Sequence, residues 1–155
     1  LVSDVSRLLL NSHVTAIEIQ DSSRNIAANL NAFSSANVAA KITSIRQSGT
    51  PTALAITAAQ LLDNAKAATL DKITDSYTLN VSGVATSDMA TVAANSKVAG
   101  ISILDSTSQI SAHLDDMRLL GVRLVSAKAT DRTSLALSAT QVNNEAWGLG
   151  KICGG

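Results

Sequence analysis

The sequence predicts an α/β fold, built as a repetitive parallel-strand α/β solenoid of leucine-rich-repeat-like proportions. Three observations point there. NSHVTAIEIQDSSRNIAANL (11–30) is answered by NSKVAGISILDSTSQISAHL (95–114). Hydrophobic periodicity switches between two and about 3.6 residues, as it does where strands feed helices. Strand-like segments recur at coil-sized intervals: 28 residues from Ile17 to Ile45, 25 from Leu54 to Leu79, and 22 from Leu79 to Ile101.

At an offset of 84, residues 11–33 and 95–117 share ten identities in 23 positions: Asn11/Asn95, Ser12/Ser96, Val14/Val98, Ile17/Ile101, Ile19/Ile103, Asp21/Asp105, Ser22/Ser106, Ile26/Ile110, Ala28/Ala112 and Leu30/Leu114. Ser3-Asp4 and Ser87-Asp88 extend the register upstream. At an offset of 81, TALAITAAQLLDNA (52–65) is echoed by TSLALSATQVNNEA (133–146). One repeat domain over 1–155 is expected, holding long internal repeats at approximately 1–72 and 85–155.

Each element has a local reason. In VTAIEIQDS, Ile17 and Ile19 share one parity and Glu18 and Gln20 the other, as in a strand with one buried face. YTLNVSG sets Tyr77, Leu79 and Val81 against Thr78, Asn80 and Ser82 in the same way. Ile26, Leu30 and Phe33 lie at i, i+4 and i+7, and Ile110, Leu114 and Met117 repeat that helical stripe. Thr57-Ala-Ala-Gln60, Ser106-Thr-Ser-Gln109 and Ser138-Ala-Thr-Gln141 fit the capping box that opens a helix. Strands are therefore predicted near 14–20, 42–46, 52–57, 76–82, 98–104, 123–128 and 133–137. Helices are predicted near 3–10, 23–34, 58–72, 87–95, 107–119 and 139–149. SGTP (48–51) predicts a turn, with Pro51 denying a ladder donor. Parallel strands joined by right-handed crossovers stack into one sheet. A doubly wound sheet is the competing arrangement, and its strands would read apolar on both faces.

Composition narrows the function classes. Lys plus Arg and Asp plus Glu are 12 each, and Phe33, Tyr77 and Trp147 are the aromatics. Nucleic-acid binding is not expected, because a basic footprint and stacking platforms are both missing. The interrupted apolar runs fall short of the roughly 20 residues that cross a bilayer, so no membrane span is expected. LVSDVS shows no charged-then-apolar leader, which predicts a segment of a longer protein with any address elsewhere. Cys153 is the single cysteine, which excludes an intrachain disulfide and a cysteine-based metal cluster.

Together, VSDVSRLLLNSHVTAIEIQDSSRNIAANLNAF and SGTPTALAITAAQLLDNAKAATLDKI resemble the Ala/Ser/Thr/Asn-rich repeats of large exported bacterial proteins described as RTX-like, hemolysin-type calcium-binding or adhesin-like. The resemblance covers most of the chain. It implies a secreted or cell-surface protein in which tandem modules act as stalk, spacer or contact surface. Adjacent repeats of the same chain are the implied partners, together with a cell-surface protein or carbohydrate. Calcium belongs to such parent proteins through GGxGxDxUx nonapeptides, which this segment lacks, so no cofactor is expected here.

No catalytic residue and no metal ligand is assigned. Asp21 and Asp105 end their strands before Ser-rich helix starts; two carboxylates fall short of the 6–8 oxygens calcium takes, so backbone N–H capture is expected instead. His13 and His113 face Lys97 and Asn29 in the other copy and read as surface residues. Ser87 has neither a G-x-S-x-G elbow nor a sequence-paired histidine. GVATSD (83–88) and GLGKICGG (148–155) match no phosphate loop, and the second reads as a helix end. Asp115 and Asp116 are adjacent on a helix and point about 100° apart, as on a solvated face. Cys153 reads as incidental, and Trp147 as part of a terminal apolar helix face.

The outer sheet face remains as the binding candidate, represented by Glu18, Gln20, Thr78, Asn80 and Ser102 and flanked by Ala16, Ser82, Gly100 and Leu104. It lacks the aromatic and Arg anchors of a tight interface. A structural, spacer or adhesion-type module is therefore the expected function. A binding module for carbohydrate, protein or calcium is the alternative. An enzyme is the third reading, and a pocket joining His13 or His113 to Asp side chains would be its sign.

Overall fold

Alternation of buried and exposed residues builds the strands of the computed structural model, which describes residues 5, 11, 13–131, 133–144 and 149–153. The chain divides into two compact units, Leu1–Leu79 and Asn80–Gly155. It is an α/β protein whose strands pair in parallel.

In the first unit, β1 (Ile17–Asp21) alternates buried and exposed residues along its length. It pairs in parallel with β2 (Ile42–Gln47), and the register slips between Ile17 and Glu18, so that Thr43 has no partner residue. Between them lie α1 (Ser23–Ala28), α2 (Leu30–Phe33) and α3 (Ala36–Ala39). These helices are too short to persist alone, so burial must hold them. Ile26 and Phe33 are fully buried and Leu30 nearly so. After β2, Ile45 bridges to Ile73. Then follow β3 (Leu54–Thr57), α4 (Ala58–Leu61) and α5 (Asn64–Leu70). Leu54 donates its N–H to Thr78 O at 2.9 Å.

The second unit takes up β4 (Leu79–Val84) from Asn80 onward, then a 3₁₀ turn at Thr86–Asp88 and α6 (Met89–Ala94). Next come β5 (Val98–Asp105), α7 (Thr107–Ala112) and α8 (Leu114–Leu119), and a 3₁₀ turn (Gly121–Arg123) leads into β6 (Leu124–Ala129). Gly121 takes φ +57°, a backbone region that suits glycine and ends α8. After α9 (Ala139–Asn144), the short β7 (Ile152–Cys153) closes the order β4-β5-β6-β7.

The two copies fold alike. The β1/β2 slip recurs between Ile101 and Ser102 in β5/β6. Helices break at the same place, Asn29 in one copy and His113 in the other, with φ of −106° and −111°. Ile110, Leu114 and Met117 are as buried as Ile26, Leu30 and Phe33.

Two expectations need correction. Residues 133–137 form no strand, although their counterparts in the first copy supply β3. The place beside β6 is held by β7, with Ala127 opposite Ile152 and Ala127 N–H donating to Lys151 O at 2.8 Å, just as Ile73 bridges to Ile45 beside β2 and Ile45 N–H donates to Lys72 O at 2.9 Å. Leu149 is still helical and Gly150 and Lys151 turn, as expected of a helix end, but Ile152 and Cys153 then add a strand that was not expected. The helix expected near 3–10 and the side chain of Trp147 lie outside the described residues.

Candidate functional site

In the second unit, carboxylates and hydroxyls that follow β4, β5 and β6 tie neighbouring strand ends together. Asp105 Oδ2 accepts the Thr86 N–H at 3.0 Å and the Thr86 hydroxyl at 2.8 Å, while Oδ1 accepts the Ser106 N–H at 2.7 Å. Burial works against ionisation of Asp105. The hydrogen bonds from Thr86 and Ser106, with His113 nearby, outweigh it and hold the carboxyl below its ordinary range. One strand on, the buried Thr107 donates its N–H to Asp131 at 3.1 Å and its hydroxyl to Asp131 Oδ1. The Thr107 hydroxyl is the main cause of the lowered Asp131 pKa.

The first unit uses amides for the same task. Ser23 Oγ donates to Gln47 Oε1 at 2.6 Å, and Gln47 N–H donates to Asp75 Oδ2 at 2.6 Å. Asp21 Oδ1 accepts the Ser22 N–H at 2.7 Å and Asn25 Nδ2 at 2.7 Å. Asp21 and Asp105 therefore serve as turn acceptors, as anticipated. Among the described residues no group of three or more His, Cys, Asp or Glu could hold a metal ion.

The capping boxes at Thr57/Gln60 and Ser138/Gln141 have both arms in place. At Ser106 one arm differs: Ser106 Oγ accepts the Gln109 N–H, but the Ser106 N–H goes to Asp105. The adjacent carboxylate outcompetes the more distant Gln109 amide. Gln60 Nε2 reaches Asn31 Oδ1 at 3.2 Å, and Gln141 Nε2 reaches Ser111 O at 2.9 Å, so each capping glutamine also grips the preceding coil.

The sheet-face candidates are dispersed. In the first unit, Glu18 and Gln20 are exposed opposite Ser44 and Arg46, and Thr78 lines a shallow cavity of about 200 Å³ with Pro51, Ser76 and Tyr77. In the second unit, Ser102 sits opposite Ser126, and Asn80 lies across Gly100, which it buries. His13 is exposed at a turn beside Asn11.

The better-formed concavity belongs wholly to the second unit. A groove of about 440 Å³ runs along α6 and α8, with Met89, Ala90, Ala93, Leu119 and Leu120 as apolar lining and Thr86, Ser87, His113, Asp116 and Arg123 as polar lining. His113 Nδ1 and Asp116 Oδ2 are 2.9 Å apart. The Arg123 guanidinium donates to Ala93 O at 2.8 Å, which fixes it to the end of α6. Sequence reasoning placed His113 and Asp116 separately on polar helix surface. Their i, i+3 spacing across the helix break was the signal that could have joined them. Between α7 and residues 133–141, a hydroxyl-rich cleft of about 450 Å³ is lined by Ser108, Ser111, Thr133 and Ser134, and Ser111 Oγ is buried with no partner among the described residues.

No helix among the described residues is long and apolar enough to cross a membrane. The chain matches no family model, no curated protein and no solved structure.

Proposed function

We propose that the chain is a structural, spacer or adhesion-type repeat module: a stackable α/β solenoid segment of a large secreted or cell-surface bacterial protein. The observation that carries this reading is the coil-to-coil link, because Thr86–Asp105 and Thr107–Asp131 repeat one bond at successive coils. Contacts that recur at coil spacing let stability accumulate repeat by repeat. Exposure of alternate strand residues such as Glu18, Gln20, Asn80 and Ser82 also favours a one-sided sheet over a doubly wound one.

Duplicating the long repeat in tandem tests the reading. The maximum dimension from small-angle scattering should grow in proportion to repeat number, and thermal stability should rise with it. Independent beads on a flexible string, with unchanged melting, would overturn it.

A second reading, a ligand-binding module, is favoured by the His113 groove. A preformed cavity of about 440 Å³ lies in the size class of small-molecule sites. Thermal-shift screening against sugars, peptides and organic ions tests it, since a ligand bound to the native state raises the melting temperature.

A further inference from the structure

The two copies share their packing residues, and at this groove they differ in chemistry. His113 and Asp116 stand where the first copy has Asn29 and Ala32. Two polar differences of the second copy thus meet in its groove along α6 and α8.

Charge in the groove is unequally spent. Asp116 Oδ2 is engaged by His113 Nδ1, which orients the ring. His113 Nε2 has no partner among the described residues. Arg123 uses one nitrogen on Ala93 O, which anchors a guanidinium that has five N–H donors in all. The groups still available are the guanidinium N–H donors of Arg123 and the Nε2 of His113, while one carboxylate oxygen of Asp116 is engaged. Facing them is apolar surface, including Leu119, which is 77% exposed.

Resting on the reading of the groove as a ligand site, we infer that it binds a small organic anion with an apolar body, of the monocarboxylate class. Arg123 and His113 would hold the head group, while Met89, Ala93, Leu119 and Leu120 would cover the chain. A groove of about 440 Å³ lies within the size range of small-molecule sites.

Titration of the full chain with sodium octanoate, octylammonium chloride and octanol, followed by amide NMR, tests the inference. Octanoate alone should give saturable shifts at Ala90, Ala93, Leu119 and Leu120. The double variant His113→Asn/Asp116→Ala installs the first copy's residues and should keep the fold while weakening octanoate about tenfold or more. Arg123→Gln should do likewise. Leu119→Glu alters an exposed position and should abolish binding, which keeps the test open if Arg123→Gln fails to fold. Equal binding of octanol or octylammonium would overturn the anion assignment while leaving a ligand groove. Absence of saturable shifts with all three would remove the groove reading as well.

Discussion

The Thr86 hydroxyl and the Thr86 N–H both donate to one oxygen of Asp105, at 2.8 and 3.0 Å, so a single carboxylate oxygen fastens the 3₁₀ turn after β4 to the end of β5. The other oxygen accepts from Ser106. Asn at position 105 keeps the shape but must turn an N–H₂ group toward one set of donors. Asp105→Asn should therefore cost about 1–2 kcal/mol, the range of a mispaired, partly exposed hydrogen-bonding group. The urea midpoint should fall with an unchanged m-value. An unchanged midpoint would show that the link adds nothing.

The same links set the response to acid. Both Asp105 and Asp131 have pKa values lowered in the folded state. A carboxylate with a depressed native pKa contributes stability above its unfolded pKa, about 3.9, and loses that contribution as pH falls through the native value. Stability should therefore be flat in this respect from pH 7 to about 5 and should decline below about pH 4. Thr107→Val removes the largest cause of the Asp131 shift and should make that decline shallower. Parallel pH profiles for Thr107→Val and the parent chain would contradict the assignment.

Much of this fold was legible in the sequence because periodicity and duplication report packing. Ile17/Ile101, Ile26/Ile110 and Leu30/Leu114 were readable as core since burial demands apolar side chains at fixed spacing. The helix breaks at Asn29 and His113 were not readable, because neither residue differs enough in propensity from its neighbours to mark a stop. The failed strand at 133–137 was invisible for another reason. Its alternation is sound, but β3 is held by a bond from Leu54 N–H to Thr78 O, and residues 133–137 have no paired strand among the described residues. The groove escaped because His113, Asp116, Ser87 and Arg123 come from three separate elements, and only the packing of α6 beside α8 assembles them.

Gly100 is required by a neighbour and not by its own backbone. A Cβ there would lie 2.5 Å from Asn80 Oδ1 and 3.1 Å from Val125 Cγ2. Gly100→Ala should destabilise by about 1 kcal/mol, at the low end of overpacking costs because Asn80 can swing away. In an Asn80→Ala background the same substitution should cost clearly less. A double-mutant cycle by urea unfolding measures the coupling. Equal costs in both backgrounds would place the strain on Val125.

Shared and differing positions of the two copies should separate sharply in energy. Ile26 and Ile110 are fully buried at equivalent points of the helix stripe. Truncation of either to Ala removes transfer energy and leaves a cavity, so each should cost about 2–5 kcal/mol. Asn29 and His113 occupy the same helix break but are only partly buried. Asn29→His and His113→Asn should each stay within about 0.5 kcal/mol of the parent, as surface exchanges usually do. Thermal and urea unfolding of the four variants checks the contrast. A large loss from His113→Asn would make the His113–Asp116 pair a structural clamp and would weaken the reading of the groove as a place where the second copy acquired its own chemistry.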